Sequence, residues 1–311
     1  MSTHVLLIGG SRFLGREIAR AFTDLNFEVH AMNRGKIAPD ASLCASIVCD
    51  KNDRDAFAKV LKQQTWDVIV DTILNADDLT FVIETLGSYR GHLIHTGSLG
   101  VYGEARQIPA TESLPLAEYH GKDCIVFNNK IQQDQVLLRA SIEQNFPMTI
   151  LRCSYICGPG DYLLEGWGGR SPQFFEMLER GEPLLLPNDG NALLHPGDVR
   201  DLGRAFPQAV LHPESIGQVY NIAGNHALPM KDYIHRIATL MGSGSTLSFA
   251  SIPEVLARYP EITSERGVQF SCQHMCASIE KAREQIDWKP EIPLDVSLRE
   301  TVQWMKSQNS R

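Results

Sequence analysis

Short apolar runs alternate with amphipathic segments through the first half of the chain. These runs are largely apolar and do not alternate with polar residues, which is typical of strands covered by helices on both faces. They lie at 4–10, 27–33, 45–50, 66–71, 91–98 and 147–153. The segments between them carry apolar residues at helical spacing near 14–25, 53–63, 77–88 and 128–145. This alternation of strand and helix patterns predicts an α/β fold with a doubly wound parallel sheet.

The pattern changes after about residue 155. The stretch "CGPGDYLLEGWGGRSP" is rich in glycine, and further Pro and Gly residues interrupt 181–197, as is typical of loops. Later patterns predict a strand at 218–224 and helices near 230–241, 277–286 and 294–307. We therefore expect a sheet domain over 1–155 and a smaller lobe over 156–311, with the strand at 218–224 returning to the main sheet.

Composition indicates a globular protein outside the membrane. Apolar residues make up 43% and charged residues 21% of the 311 residues, as in ordinary globular domains. No apolar run reaches the roughly 18 residues that a membrane-spanning helix needs. The opening "MSTHVLLIGG" enters a strand pattern without the basic and apolar regions of a secretory signal. We expect a cytoplasmic protein with no membrane partner.

Charge and cysteine usage argue against nucleic acid and metal. The net charge of -8 offers no general attraction to phosphates, so nucleic acid is a disfavoured partner, although a local basic patch would change this. The seven cysteines follow no regular framework, as expected for reduced thiols. In "CQHMC" the intervals between Cys272, His274 and Cys276 are too short for a zinc knuckle. We therefore predict no metal site.

A glycine-rich turn joins the first strand pattern to the first helix pattern. In "LLIGGSRFLGREIARAF", Gly9 permits a tight turn and Gly15 allows close packing of helix and strand. The start of the helix offers free N–H groups to a pyrophosphate. We predict a dinucleotide cofactor bound by the whole turn, which comprises Gly9, Gly10, Ser11, Arg12, Phe13, Leu14 and Gly15.

The end of the second strand indicates which dinucleotide is bound. NAD specificity usually depends on a carboxylate there, which hydrogen-bonds the ribose 2′-hydroxyl. This chain has Asn33 and Arg34 instead, and Arg34 together with Arg12 would hold a 2′-phosphate by charge-assisted bonds. NADP is therefore favoured over NAD. Asp50 is placed either to accept a hydrogen bond from adenine or to cap a turn.

The chain resembles the extended short-chain dehydrogenase/reductase superfamily, the NAD-dependent epimerase/dehydratase group. "GGSRFLG" is similar to the glycine motif of its atypical branch and of chloroplast stem-loop-binding proteins, and "HTGSLGVYG" resembles the strand that carries the catalytic serine or threonine. "LRCSYICGPGD", "QVYNIAGN" and "IDWKPEIPL" resemble later motifs, in the right order over nearly the whole chain. The resemblance implies a Rossmann domain with a carboxyl-terminal substrate lobe.

The resemblance also implies catalytic residues. Ser98 matches the serine that hydrogen-bonds a substrate oxygen, and Lys130 matches the lysine that binds the nicotinamide ribose. The usual tyrosine position is occupied by Val126, which cannot carry a proton. A displaced phenol, Tyr102 or Tyr119, is the favoured replacement. The alternatives are Lys130 itself, His120, Lys122 and Cys124, or a protein that binds cofactor without redox turnover.

The implied reaction is transient oxidation of a hydroxyl on a sugar, sugar-nucleotide or nucleoside, followed by epimerisation, elimination or release. Besides Ser98, the candidate substrate contacts are Tyr155 and Arg170. By resemblance, the helices at 77–88 and 128–145 would form a homodimer interface. A regulatory cofactor-binding protein and an RNA-binding protein are the rival interpretations.

Overall fold

The structure is a computed structural model that describes residues 3–104, 107–118 and 125–309, with the backbone alone at 125–127 and 309. Strands and helices alternate through the first half of the chain. The elements are β1 (His4–Ile8), α1 (Phe13–Asp24), β2 (Glu28–Asn33), β3 (Ala45–Val48), α2 (Arg54–Lys62), β4 (Val68–Asp71), α3 (Ala76–Leu86), β5 (His92–Ser98), α4 (Ile125–Gln144), β6 (Met148–Cys153) and β7 (Tyr155–Cys157). A short 3-10 turn at Leu99–Tyr102 follows β5.

The second half is built from shorter elements. They are α5 (Pro172–Glu179), β8 (Leu184–Pro187), β9 (Leu193–Leu194), β10 (Pro196–Asp198), α6 (Val199–Leu211), β11 (Val219–Ile222), β12 (Leu228–Pro229), α7 (Met230–Met241), β13 (Leu247–Ala250), α8 (Ile252–Arg258), α9 (Glu265–Ser271), α10 (Glu280–Gln285) and α11 (Leu294–Asn309). Among the described helices, none is long and apolar enough to cross a membrane.

Within the described residues, seven parallel strands form the central sheet in the order β11-β6-β5-β4-β1-β2-β3. The order reverses between β1 and β4, as in doubly wound Rossmann sheets. The predicted α/β fold is therefore confirmed. The strand expected at 218–224 is β11, which pairs with β6 at the edge of the sheet.

Two hydrophobic layers cover the faces of the sheet. On one face, Val5 and Leu7 of β1 pack in a cluster with apolar residues of α1 and α6. On the other, Leu6 and Ile8 pack with residues of α2, α3 and α4. The alternation along β1 sends successive side chains to opposite faces, which explains why the run is apolar at every position.

Residues after 156 form a third hydrophobic cluster, which would be the core of the expected carboxyl-terminal lobe. Trp167, Phe174 and Tyr233 are buried in it, together with apolar residues of α8, α9 and α11. The helix α6 lies between residues of this lobe in the sequence, yet it packs against α1 on the sheet. The chain therefore crosses between the two lobes more than once.

Candidate active site

A cleft of about 600 Å³ lies at the carboxyl ends of the sheet strands. Its lining comes from the turn after β1, from the residues that end or follow β2, β4, β5 and β6, and from Lys130 of α4. Because the strands are parallel, their carboxyl ends meet at one edge, and ligands of doubly wound sheets bind there. The geometry therefore makes this cleft the candidate active site.

The glycine positions in the turn at one wall of the cleft have no room for a side chain. Gly9 has φ +104°, and a Cβ atom there would lie 2.3 Å from the Thr72 hydroxyl. A Cβ on Gly15 would lie 2.2 Å from the carbonyl oxygen of Gly9. Gly10 is buried against Leu7 and does not line the cleft. Glycine is thus required for the turn and for the close approach of α1.

The start of α1 faces this turn and has hydrogen-bonding capacity to spare. No side chain caps the helix at Arg12, and its first turn holds no acidic residue. The hydroxyl of Ser11 is buried and has no hydrogen-bond partner among the described residues. Phe13 takes φ +41°, a left-handed conformation that is uncommon for a large side chain. An anion at this point would satisfy both the helix N–H groups and Ser11.

Basic side chains line the cleft next to β2. Asn33 is buried and donates through Nδ2 to the Ser46 hydroxyl at 2.9 Å, while its Oδ1 accepts from the amide of Gly35 at 2.8 Å. These bonds fix the turn that carries Arg34, which is exposed and lines the cleft with Lys36. Arg12 lines it from the glycine turn.

Asp50 lies outside the cleft lining. It is exposed, and its carboxylate accepts a hydrogen bond from the backbone amide of Asn52 at 3.0 Å. The structure therefore places Asp50 as a turn cap, which is one of the two interpretations that the sequence left open.

Ser98 and Lys130 both line the cleft. Ser98 ends β5, and its oxygen accepts from the amide of Gly100 at 3.1 Å, which leaves the hydroxyl proton available to a ligand. The ammonium group of Lys130 donates to the backbone oxygen of Thr96 at 2.8 Å. Thr96 also lines the cleft, and its hydroxyl is buried without a hydrogen-bond partner among the described residues.

The surroundings of Lys130 change its acidity. Burial lowers the pKa of Lys130, and the nearby carboxylates of Asp71 and Asp134 oppose this only in part. Asp71 itself lies 2.7 Å from Nδ1 of His95 in a fully buried pair. Burial acts to raise the pKa of Asp71, but the hydrogen bond and charge of His95 leave it below its usual value. A lysine with a lowered pKa is closer to exchanging protons near neutral pH.

Of the two candidate tyrosines, Tyr102 lies within the described residues and Tyr119 does not. Tyr102 is buried outside the cleft lining; its hydroxyl donates to Asn221 at 2.7 Å and accepts from Arg152 at 2.7 Å. Burial raises the pKa of Tyr102. This placement does not favour Tyr102 as the proton carrier. Tyr119 lies outside the described residues, as does the side chain of Val126.

The two further substrate candidates lie behind the cleft wall. Arg170 donates to the backbone oxygens of Tyr162 and of Ile156, the latter at 2.8 Å, so its guanidinium holds the glycine-rich loop together. Tyr155 packs on the ring of Phe270, and its hydroxyl is buried without a hydrogen-bond partner among the described residues. Neither residue lines the cleft.

The structure adds cleft residues that the sequence patterns did not single out. They are Met32, Lys36, Ile37, Thr72, Ile73, Thr96, Gly97, Cys153, Ser154, Ile156, Gly160 and Asp161. A signal existed for Lys36, which follows Arg34 closely in "NRGK", and for Cys153 and Ser154, which end and follow β6. Gly160 and Asp161 stand in the quoted "LRCSYICGPGD" motif, whereas Thr72 and Ile73 carry no local pattern and reach the cleft because β4 pairs with β1.

The glycine turn, Ser98 and Lys130 lie in a part of the sequence that matches a known protein family. The model of the NAD dependent epimerase/dehydratase family matches residues 5–81 and 73–223. The chain belongs to this family. The described site residues Gly9 to Gly15, Ser98 and Lys130 all lie within the matched region.

Individual relatives are distant but match most of the chain. A chloroplast stem-loop binding protein of 41 kDa from Arabidopsis thaliana is 25% identical over 93% of this chain and 76% of its own length. The structure of dTDP-glucose 4,6-dehydratase from Bacillus anthracis in complex with NAD has a TM-score of 0.78 at 20% identity, covering 99% of this chain and 98% of that one. UDP-glucose 4-epimerase from Thermotoga maritima with UDP-glucose has a TM-score of 0.76 at 15% identity, covering 98% and 99%. These two structures share the fold.

Proposed function

We propose that the protein is an NAD(P)-dependent enzyme of the epimerase/dehydratase type, which transiently oxidises a hydroxyl on a sugar or sugar-nucleotide. One observation carries the proposal: Ser98 and Lys130 lie in the same cleft as the glycine turn. The family membership and the sugar-nucleotide names of the two solved relatives support the substrate class.

The residues present fit a nicotinamide dinucleotide. Glycine at positions 9 and 15 lets α1 begin close to β1, and the buried Ser11 hydroxyl beside the start of this helix lacks a partner among the described residues. We infer that the turn and the start of α1 hold the pyrophosphate, and that Lys130 holds the nicotinamide ribose. When bound, the nicotinamide supplies the hydride acceptor.

Ser98 and Lys130 have separate parts in the proposed reaction. The Ser98 hydroxyl donates a hydrogen bond to the reacting substrate oxygen. Lys130 is the group that we propose to take the substrate proton, because it lines the cleft and burial lowers its pKa. In the proposed reaction Lys130 would take the proton of the substrate hydroxyl and return it later in the cycle, and the lowered pKa of Lys130 favours this role. This assigns to Lys130 the task that a tyrosine at position 126 would perform.

A turnover assay with matched variants tests the proposal. The purified protein is incubated with NADP or NAD and with dTDP-glucose or UDP-glucose, and reduced nicotinamide and sugar products are measured. Ser98→Ala and Lys130→Met are each expected to lower turnover by roughly 10² to 10⁴-fold. Lys59→Met, on the exposed face of α2, is the control and should keep full activity.

The outcomes separate the proposal from its rivals. Unchanged turnover in Ser98→Ala and Lys130→Met would contradict the proposed site. Cofactor binding without turnover on any sugar, in the parent protein and in Val126→Tyr alike, would favour the regulatory interpretation. Activity gained only in Val126→Tyr would show that a phenol is the missing proton carrier.

RNA binding is a second candidate, favoured by one observation. The Arabidopsis relative, which matches 93% of the chain, is named for binding a stem-loop. The net charge of -8 opposes this function. A gel shift with a structured RNA over a salt series is the test, since binding through phosphates should weaken steeply as salt rises. The homodimer expected through α3 and α4 also stays a prediction.

A further inference from the structure

Three potential metal ligands lie together at the edge of the sheet opposite the cleft. His4 begins β1 and is in register with Glu28, which begins β2. His30 lies two residues further along β2, so its side chain leaves the sheet on the same face as that of Glu28. Each of the three side chains offers one ligand atom, and these atoms all lie within 4.8 Å of one another.

The donor set and its spacing suit zinc. Two imidazoles and a carboxylate are a familiar Zn²⁺ ligand set, with metal–ligand bonds of about 2.0–2.2 Å. Tetrahedral bonds of that length place neighbouring ligand atoms roughly 3.3–3.6 Å apart. Here Nε2 of His30 lies 3.1 Å from the Glu28 carboxylate, and Nδ1 of His4 lies 3.5 Å from its other oxygen. These separations are near the tetrahedral value, and with all three ligand atoms within 4.8 Å of one another the two imidazoles would have to draw together to close the site around an ion.

An unsatisfied nitrogen points to a missing partner. Nδ1 of His4 is buried and makes no hydrogen bond among the described residues, although it lies beside the Glu28 carboxylate. A cation between the two would satisfy this nitrogen and neutralise the carboxylate. The side chains of His4, His30 and Glu28 are 35%, 19% and 50% exposed, which leaves one side open for a solvent ligand.

We propose that His4, Glu28 and His30 form a binding site for a late first-row divalent metal ion, with Zn²⁺ as its occupant. The ion would join β1 to β2 at their amino-terminal ends. The site lies at the edge of the sheet away from Ser98 and Lys130, so it is independent of the proposed hydride chemistry. Its consequence is stability: an ion that binds only the folded chain raises the free energy of unfolding by mass action.

Calorimetric titration of the chelator-treated full chain with ZnCl₂ tests the site. We expect one ion per chain and an unfolding temperature that rises with Zn²⁺ concentration. His30→Ala and the milder Glu28→Gln should each weaken binding by at least about tenfold. His235→Ala, at an exposed position of α7, is the matched control and should bind as the parent protein does.

Zinc X-ray absorption separates this site from binding by thiols. The proposed ligands predict nitrogen and oxygen scatterers at about 2.0–2.2 Å and no sulfur scatterer near 2.3 Å. The proposal is overturned if the parent chain takes up no stoichiometric Zn²⁺, if sulfur dominates the first shell, or if Glu28→Gln and His30→Ala both bind Zn²⁺ undiminished. Glu28→Gln keeps the shape of a half-exposed side chain, so a folding failure of His30→Ala would leave the test intact.

Discussion

Glu165 is a buried carboxyl group in the glycine-rich loop of the second lobe. It is 1% exposed; one oxygen accepts from the amide of Gly169 at 3.1 Å, and the other has no hydrogen-bond partner among the described residues. Burial raises the pKa of Glu165 to about 8. The folded protein therefore holds Glu165 protonated at a pH at which the unfolded chain ionises it.

This difference predicts a pH-dependent stability. Because the folded-state pKa lies above the ordinary value of 4.5, the folded chain binds more protons between these two values, and stability falls as pH rises from about 4.5 to about 8. Glu165→Gln keeps the acceptor for Gly169 and removes the titration. We expect it to stabilise the protein at pH 8 by on the order of 2–4 kcal/mol, with little effect near pH 4.

Urea unfolding at several pH values measures the effect. Glu261→Gln, at an exposed position, is the control and should leave the pH profile of the parent protein unchanged. A Glu165→Gln variant whose unfolding free energy falls with pH as steeply as that of the parent would contradict the assignment.

Single residues differ in how far the sequence reveals them. Gly9 and Gly15 were found because the turn between β1 and α1 constrains both locally: Gly9 takes φ +104°, and a Cβ on Gly15 would meet the carbonyl oxygen of Gly9. Thr96 was missed because its neighbours in sequence form an ordinary buried strand, and only the approach of Lys130 gives it a part in the site. Glu165 looks like a loop carboxylate until packing buries it.

The helix α4 is the element that positions Lys130. A buried ion pair ties it to the sheet: Nε of Arg152, on β6, donates to Asp134, on α4, at 2.8 Å. The two side chains are 2% and 0% exposed. The guanidinium also donates to Tyr102 and lies 5.0 Å above its ring. This arrangement gives Arg152 and Tyr102 a structural task beneath the cleft.

Removing one partner of this pair should destabilise the protein strongly. Asp134→Ala leaves the Arg152 charge buried without its carboxylate, and we expect a loss of about 3–5 kcal/mol in the free energy of unfolding. The double variant Asp134→Leu with Arg152→Met should recover much of the loss, because neither member of the pair is left as an unpaired buried charge. Urea unfolding of the single and double variants measures both.

A surface pair provides the control. Arg180, just after the end of α5, lies 3.9 Å from Glu176 within it, and their side chains are 57% and 46% exposed, so Glu176→Gln should leave the unfolding midpoint nearly unchanged. A loss in Asp134→Ala no larger than in Glu176→Gln would show that the buried pair does not hold α4 in place.

Elements of regular length were easier to predict than short ones. The strand patterns of the first half correspond to β1 to β6, and the helical pattern at 230–241 matches α7. The two-residue strands β9 and β12 were not predicted, because they are too short to show a pattern and they pair across 33 intervening residues between Leu194 and Leu228. Short helices such as α8 and α9 likewise depend on the core of the second lobe.

The charged residues that line one end of the cleft are mainly basic, although the chain as a whole is acidic. The chain carries a net charge of -8, yet Arg12, Arg34 and Lys36 line the cleft beside β2. The carboxylate of Asp161 lines it too, beyond Gly160. The total charge, which argues against nucleic acid, therefore does not describe the field that a phosphate would meet at this end of the cleft.

This local charge predicts the choice of cofactor. If Arg34 and Lys36 hold a ribose 2′-phosphate, Arg34→Ala should weaken NADPH binding by about 10 to 100-fold and leave NADH binding nearly unchanged. NADPH binding should also weaken more than NADH binding as salt is raised, since only the former depends on the extra charge pairs. Fluorescence titration of the two reduced cofactors at low and high salt measures both effects.

Lys59→Ala, outside the cleft lining, is the matched control. Equal losses for NADPH and NADH in Arg34→Ala would mean that Arg34 contacts a part common to both cofactors, such as the pyrophosphate or adenine, and the preference for NADP would lose its basis.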